Sequence, residues 1–91
     1  MTLKDKIVHS IIPYAMGVKD FDEKTFELEL RNILKYYLSR KEFTATEIEK
    51  VLLQIDKNLD EAIKDIEVRK KMHNILRRVS NFARLYKNLS R

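Results

Sequence analysis

The scarcity of turn-forming residues limits the folds open to this chain more than any other feature. Among 91 residues there is one glycine, Gly17, and one proline, Pro13, whereas average usage is about 7% glycine and about 5% proline. Sheets and long loops depend on residues that reach positive φ or preset a turn. The sequence therefore predicts an all-α fold with few, short connections.

Length and composition predict a single domain. A chain of 91 residues that is 44% hydrophobic is large enough for one core and leaves little room for a second. We therefore treat 1–91 as one helical domain and expect a small four-helix bundle, the economical packing for amphipathic helices of this length. Because the chain has no cysteine, disulfides, thiolate nucleophiles and cysteine-ligated zinc are excluded.

The first predicted helix begins after Thr2. Thr2 and Asp5 have the spacing of a capping box, in which each side chain accepts a hydrogen bond from the other residue's backbone amide. Apolar residues then recur at helical spacing, at Leu3, Ile7, Ile11 and Ala15. Pro13 lacks an amide that the helix needs, and Gly17 favours a C-terminal cap. This short helix is therefore expected to kink or end near Pro13.

Two further helix starts can be identified. The second helix opens at Asp20, with Glu23 three residues later, and fades near Arg40. Its apolar face consists of Phe26, Leu30, Ile33, Leu34 and Tyr37. The third helix opens at Thr44, which has Glu47 at the spacing of a capping box.

The end of the third helix has two interpretations. Apolar residues from Ile48 to Ile66 keep one helical phase, and Met72 and Leu76 then point the opposite way. This pattern favours one helix over about 45–66 and a break at 67–71. Turn-forming residues at 56–58 favour the alternative, in which a shorter third helix is followed by a long final helix.

Charge is distributed unevenly along the chain. The segment 68–91 contains eight of the 19 lysines and arginines and none of the 14 acidic residues. At about 100° per residue, its apolar residues share one face: Val68, Met72, Ile75, Leu76, Val79, Phe82, Ala83, Tyr86 and Leu89. The opposite face, here called the basic stripe, carries Arg69, His73, Arg77, Arg84, Lys87 and Arg91, with Lys70 at its margin. Such a helix is expected to pack inward and present positive charge outward.

The basic stripe predicts binding of duplex nucleic acid as the leading hypothesis, with its seven residues as the candidate phosphate contacts. A helix of 22 residues is about 33 Å long, close to one turn of B-DNA at roughly 34 Å. Phe82 and Tyr86 lie on the apolar side, where they are unsuited to stacking on unpaired bases. Contact with a duplex backbone is therefore favoured over single-strand recognition.

The alternative hypothesis is a protein–protein interaction module. The stripe would then dock an acidic partner or a second copy of the chain. Head-to-tail self-association would use acidic residues outside the stripe: Glu23, Glu27, Glu42, Glu49, Asp60 and Asp65. Binding to a membrane surface ranks third, because the apolar face of the helix is needed for the core.

The sequence contains no recognisable catalytic or cofactor signature. A single glycine excludes a phosphate-cradling loop. His9 and His73 lie on different predicted helices, and neither has a ligand-type residue three or four positions after it. We therefore expect no enzymatic activity, metal, cofactor or small-molecule substrate.

The expected location is the cytoplasm. The sequence has no run of the roughly 18 apolar residues that cross a bilayer, and Asp5, His9 and Pro13 disfavour a secretory signal at the start. We also expect a thermostable protein, because a chain with 36% charged residues and no cysteine resembles thermophile proteins in composition.

Overall fold

The computed structural model of this chain describes residues 2–40 and 43–89, with side chains described as far as residue 86. It contains four helices: α1 (Leu3–Ala15), α2 (Glu23–Ser39), α3 (Ala45–Ala62) and α4 (Ile66–Leu89). No strand occurs within the described ranges. The molecule measures 40 × 24 × 22 Å, and the predicted all-α, four-helix architecture is confirmed.

The start and end of α1 agree with the sequence prediction. The Thr2 hydroxyl accepts a hydrogen bond from the amide of Asp5 at 3.2 Å, and the Asp5 carboxylate accepts one from the amide of Thr2 at 3.4 Å. Pro13 lies inside the helix, which ends two residues later at Ala15. Gly17 then adopts a φ of 70°, a conformation that glycine reaches without the steric cost of a side chain.

The second helix begins later than the sequence analysis placed it. Asp22, and not Asp20, is the N-cap, because its carboxylate accepts hydrogen bonds from both the amide and the hydroxyl of Thr25. The helix ends at Ser39 with Arg40 as its C-cap, as predicted. At the start of α3 the predicted capping box between Thr44 and Glu47 is also confirmed.

The break between α3 and α4 lies at residues 63–65, so the predicted breaks at 67–71 and at 56–58 are both wrong. Ile63 leaves the helix with an extended backbone and stays buried in the core. Asp65 then caps α4 by accepting hydrogen bonds from the amides of Glu67 and Val68, at 2.9 and 3.3 Å. Ile66, whose spacing in the sequence continues the apolar face of α3, opens α4 and is exposed.

Arg69 also closes this break. Its Nε and Nη2 both donate to the carbonyl oxygen of Ile63, at 3.0 and 2.9 Å. A charged guanidinium therefore satisfies a backbone acceptor at the end of α3. Side chains fix the break where the sequence has no glycine or proline.

The helices pack in a ring of four neighbouring pairs: α1 with α2, α1 with α3, α2 with α4, and α3 with α4. Helices α1 and α4 therefore lie across a diagonal of the bundle. Leu3, Ile7, Phe26, Leu30, Leu34, Ile48, Leu59, Met72, Ile75 and Val79 are among the most deeply buried core residues. Helix α4, with α2 on one flank and α3 on the other, is the element that carries the charge asymmetry. None of the helices in the described ranges is both long and apolar enough to span a membrane.

Candidate functional site

The neighbours of α4 determine which of its residues reach solvent. Its inward residues Met72, Ile75, Leu76, Val79 and Ala83 are buried, as the apolar periodicity predicts. The two flanks beside them face α2 and α3. The surface that points away from the other three helices is the part of α4 most open to a ligand.

On the flank toward α3, basic residues meet carboxylates. Arg84 forms an ion pair with Glu49. The His73 ring lies between Asp56 and Asp60, with its Nε2 3.1 Å from the Asp60 carboxylate. Because these acids are seven and four residues apart, they share one face of α3. This face of α3 compensates part of the positive charge that the sequence analysis assigned to the basic stripe.

On the flank toward α2, the same arrangement recurs with different residues. Lys71 lies 3.7 Å from the carboxylate of Glu23. Arg78 donates to Glu27 at 3.0 and 2.7 Å, and Arg31 donates to the same carboxylate at 2.9 Å. The hydrogen bond from Arg78, reinforced by Arg31, holds the pKa of Glu27 below its usual value despite partial burial. Ion pairs therefore tie α4 to both of its neighbours.

Between the two flanks lies an exposed line of hydrogen-bond donors, here called the α4 ridge: Lys70, Asn74, Arg77 and Asn81. At about 100° per residue these positions fall within about 60° of one another. Within the described part of the chain, no carboxylate lies within 4 Å of the charged atoms of Lys70 or Arg77. Among the described side chains of α4, the two cations of the ridge are therefore those whose charge is not compensated by an ion pair.

The ridge is bordered by cations that are paired but still accessible. The Arg78 side chain is 48% exposed and that of Arg84 is 65% exposed. Lys71 is 47% exposed. Each of these side chains could contact a ligand from the edge of the ridge without leaving its partner. Helix α4 contains a single acid, Glu67, in its first turn.

The structure thus divides the predicted basic stripe. It places Lys70 and Arg77 on the ridge, and it places Arg69, His73 and Arg84 against α3. The side chains of Lys87 and Arg91, the remaining two predicted residues, lie outside the described ones. The predicted stripe did not include Asn74 and Asn81 on the ridge, or Lys71 and Arg78 at its border.

A groove of about 280 Å³ lies between α3 and α4. Four of its ten lining residues, Glu49, Asp56, His73 and Arg84, are already in ion pairs with one another or with a neighbouring acid. The described residues contain no cluster of three side chains suited to a metal ion.

Comparisons with known proteins add no assignment for this chain. No family model matches it, and comparisons with curated proteins and with solved structures likewise give no match. The case for function therefore depends on the geometry of α4.

Proposed function

We propose that this protein binds duplex nucleic acid through the α4 ridge, without strong sequence preference. The observation that carries the proposal is the exposed line of four donors, two of them cations without a carboxylate partner among the described residues. From Lys70 to Asn81 the ridge extends about 17 Å, the axial length of about five base pairs at 3.4 Å each. Lysine, arginine and asparagine side chains are all common donors to phosphate oxygens.

The charge around the ridge supports the same proposal. Lys71, Arg78 and Arg84 border it and remain about half exposed or more. Together with Lys70 and Arg77 they give five cations on one side of a helix whose single acid is Glu67. Phosphates approaching α4 would therefore meet a positive surface, and the paired acids lie at its edges.

The position of α4 in the bundle favours contact with the backbone over reading of bases. Helices α2 and α3 pack directly on both flanks of α4, and packed helix axes lie only 8–10 Å apart in general. The major groove is about 12 Å wide, which admits one helix but not a helix with two such neighbours. The ridge would therefore cross phosphates at the groove edges.

Fluorescence anisotropy with a labelled 20-base-pair duplex of mixed sequence, at 50 and 200 mM salt, tests the proposal. Five phosphate contacts should lower the affinity roughly 500-fold between these salt concentrations. The double variant Lys70→Glu/Arg77→Glu should abolish binding. Its matched control is Lys4→Glu/Lys6→Glu, which makes the same charge change on the exposed surface of α1, across the bundle diagonal.

Two outcomes would overturn the proposal. One is the absence of binding by the wild-type chain at 50 mM salt. The other is an equal loss of affinity in the ridge variant and in the α1 control, because the whole-molecule charge, and not the ridge, would then govern binding.

A second candidate function, docking of an acidic protein segment, is favoured by apolar side chains beside the ridge. Leu85 is 60% exposed, and Leu53, on the α3 side of the groove, is 56% exposed. Phosphates gain nothing from contact with these leucines. A partner helix that carries both leucines and glutamates could pack its leucines against them and pair its glutamates with the cations of the ridge. A synthetic amphipathic peptide of that composition is the probe. Binding that fails in Leu53→Gln, with no duplex binding by the wild type, would select this candidate.

Self-association has less support than docking of a different chain. The acids expected to serve a head-to-tail contact have partners within the molecule. Glu23, Glu27, Glu49 and Asp60 form ion pairs, and Asp65 caps α4. Glu42, the remaining acid of that set, lies outside the described residues.

A further inference from the structure

Both ring nitrogens of His73 face carboxylates of α3. Nδ1 contacts Asp56 and Nε2 lies 3.1 Å from Asp60. Because the two acids are four residues apart on α3, they lie on one face, one turn from each other. A single side chain of α4 is thus held at two points on α3.

The number of available protons determines the state of this ring. A neutral imidazole has one N–H and one lone pair, whereas an ionised carboxylate can only accept. Two ionised carboxylates therefore require two N–H donors, which only the imidazolium form provides. With a neutral ring, one nitrogen lone pair would face a carboxylate oxygen, and that contact would become repulsive.

We infer that His73 is a proton-dependent clamp between α3 and α4, in which the doubly protonated ring holds Asp56 and Asp60 and loss of one proton releases Asp60. Asp60 is the carboxylate that leaves because it is 69% exposed, whereas Asp56 is 35% exposed. Water can solvate the freed Asp60 at the lower cost. An alternative partner is also near, since Arg69 Nε lies 3.7 Å from the same carboxylate oxygen.

The other charged groups around His73 act in opposite directions. Arg69 and Arg77, one turn before and one turn after it on α4, disfavour a third positive charge. On α3, Glu49 is two turns from Asp56 and is paired with Arg84. On α2, which packs against the other flank of α4, the acids Glu23 and Glu27 are paired with Lys71 and Arg78. Asp56 and Asp60 are therefore the acids that hold the proton on the ring.

The net electrostatic balance agrees with this geometry. Burial lowers the pKa of His73, but hydrogen bonds with Asp56 and Asp60 and the charges of both acids raise it above its ordinary value. The clamp therefore stabilises the fold fully below the pKa of an unfolded histidine, about 6.5. That stabilisation is lost as the pH rises through the higher pKa of the folded ring. The docking of α3 on α4 therefore becomes weaker as the ring loses this proton, at a pH above about 6.5.

Long-range ¹H–¹⁵N NMR of the imidazole nitrogens tests the clamp. The experiment uses a His9→Gln background, in which His73 is the only histidine. We expect both nitrogens to be protonated at pH 6 and the proton on Nε2 to leave first. The midpoint should be higher than that of the same chain unfolded in guanidinium chloride. A midpoint equal to or below the unfolded value, or initial loss of the Nδ1 proton, would overturn the inference.

Variants separate the clamp from general electrostatics. Asp60→Asn should lower the titration midpoint of His73, whereas Glu61→Gln, the same charge change on the next and exposed residue of α3, should leave it nearly unchanged. Equal shifts would contradict a specific role for Asp60. His73→Gln should remove the loss of stability that we expect in the wild type as the pH rises above about 6.5. Should one of these variants fail to fold, the titration of His73 in the His9→Gln background still decides the question, and none of these readouts depends on nucleic-acid binding.

Discussion

Arg69 and Lys70 are adjacent basic residues to which the structure gives opposite roles. The sequence places both among candidate phosphate contacts. In the structure Arg69 turns toward α3 and donates twice to the Ile63 carbonyl oxygen, whereas Lys70 lies on the exposed ridge. Replacing each by methionine removes one positive charge and keeps an unbranched apolar stem. The two variants therefore have the same net charge and differ only in which role is lost.

The structure sets the expected magnitudes. Hydrogen bonds from a charged group contribute about 1.5–3 kcal/mol, and the longer contact between Arg69 and Asp60 adds at most about 1 kcal/mol. Arg69→Met should therefore lower the free energy of unfolding by about 2 kcal/mol. For a chain of this size that corresponds to a fall in Tm of roughly 8–16 °C. Lys70→Met should change stability by no more than about 0.5 kcal/mol.

Two assays applied to both variants measure these effects. Urea unfolding followed by circular dichroism at 222 nm gives the change in stability. Duplex affinity measured over a salt series gives the number of phosphate contacts, and Lys70→Met should reduce the slope of log affinity against log salt by about 0.9. Arg69→Met should leave that slope unchanged below its melting temperature.

Variants that behave alike would contradict the separate roles of Arg69 and Lys70. Equal stability would mean that the Arg69 hydrogen bonds do not hold the break between α3 and α4. An equal loss of salt slope would mean that Arg69 contacts the duplex, as the sequence analysis expected, and that the ridge does not define the binding surface.

Three further substitutions test local features by chemical denaturation. Thr44→Ala removes the acceptor of the α3 capping box and should cost about 1 kcal/mol. Gly17→Ala should cost about 1–2 kcal/mol, because an added Cβ has open space around it and only the φ of 70° is unfavourable. The pKa of Glu27 is lowered in the fold, so its stabilisation is present above its unfolded pKa and is lost as the pH falls through the lower folded value. Glu27→Gln should therefore flatten the pH dependence of the urea midpoint below about pH 5. The same pH dependence in the variant and the wild type would contradict the pairing with Arg78.

The elements that the sequence predicted well depend on residues close together in the chain. The capping boxes of α1 and α3 each involve two residues three positions apart, and both are present. The inward residues of α4 also follow from local periodicity and are buried. Residue types at a fixed spacing along the chain are therefore enough to predict these features.

The break between α3 and α4 could not be located in this way. Nothing in the sequence distinguishes Asp65, which caps α4, from the other acidic residues. The break is also stabilised by a hydrogen bond from Arg69 to the carbonyl oxygen of Ile63, six residues earlier. The phase of the apolar residues was misleading because Ile66 continues the α3 pattern in sequence but is exposed in the structure. A helix end made by side chains, without glycine or proline, leaves a weak sequence signal.

A different physical reason explains why part of the basic stripe lies against α3. Periodicity identifies the inward direction of a helix, but it does not indicate how far its neighbours extend around the two flanks. The predicted stripe was centred about 70° from the ridge, on the flank that α3 covers. The signal that could have shown this was the matching set of acids at helical spacing on α3, namely Glu49, Asp56 and Asp60.

The absence of acids after Glu67 therefore has two separable causes. At positions 69, 71, 73, 78 and 84 an acid would face a carboxylate, or at 69 a carbonyl oxygen, of the packed chain, so the fold itself disfavours negative charge there. At Lys70, Asn74, Arg77 and Asn81 no such contact exists among the described residues, and the fold would tolerate an acid. Selection for packing alone would leave these four positions free to vary in charge. Packing does not explain why all four positions carry hydrogen-bond donors. This is the reason to look for a polyanionic partner at the α4 ridge.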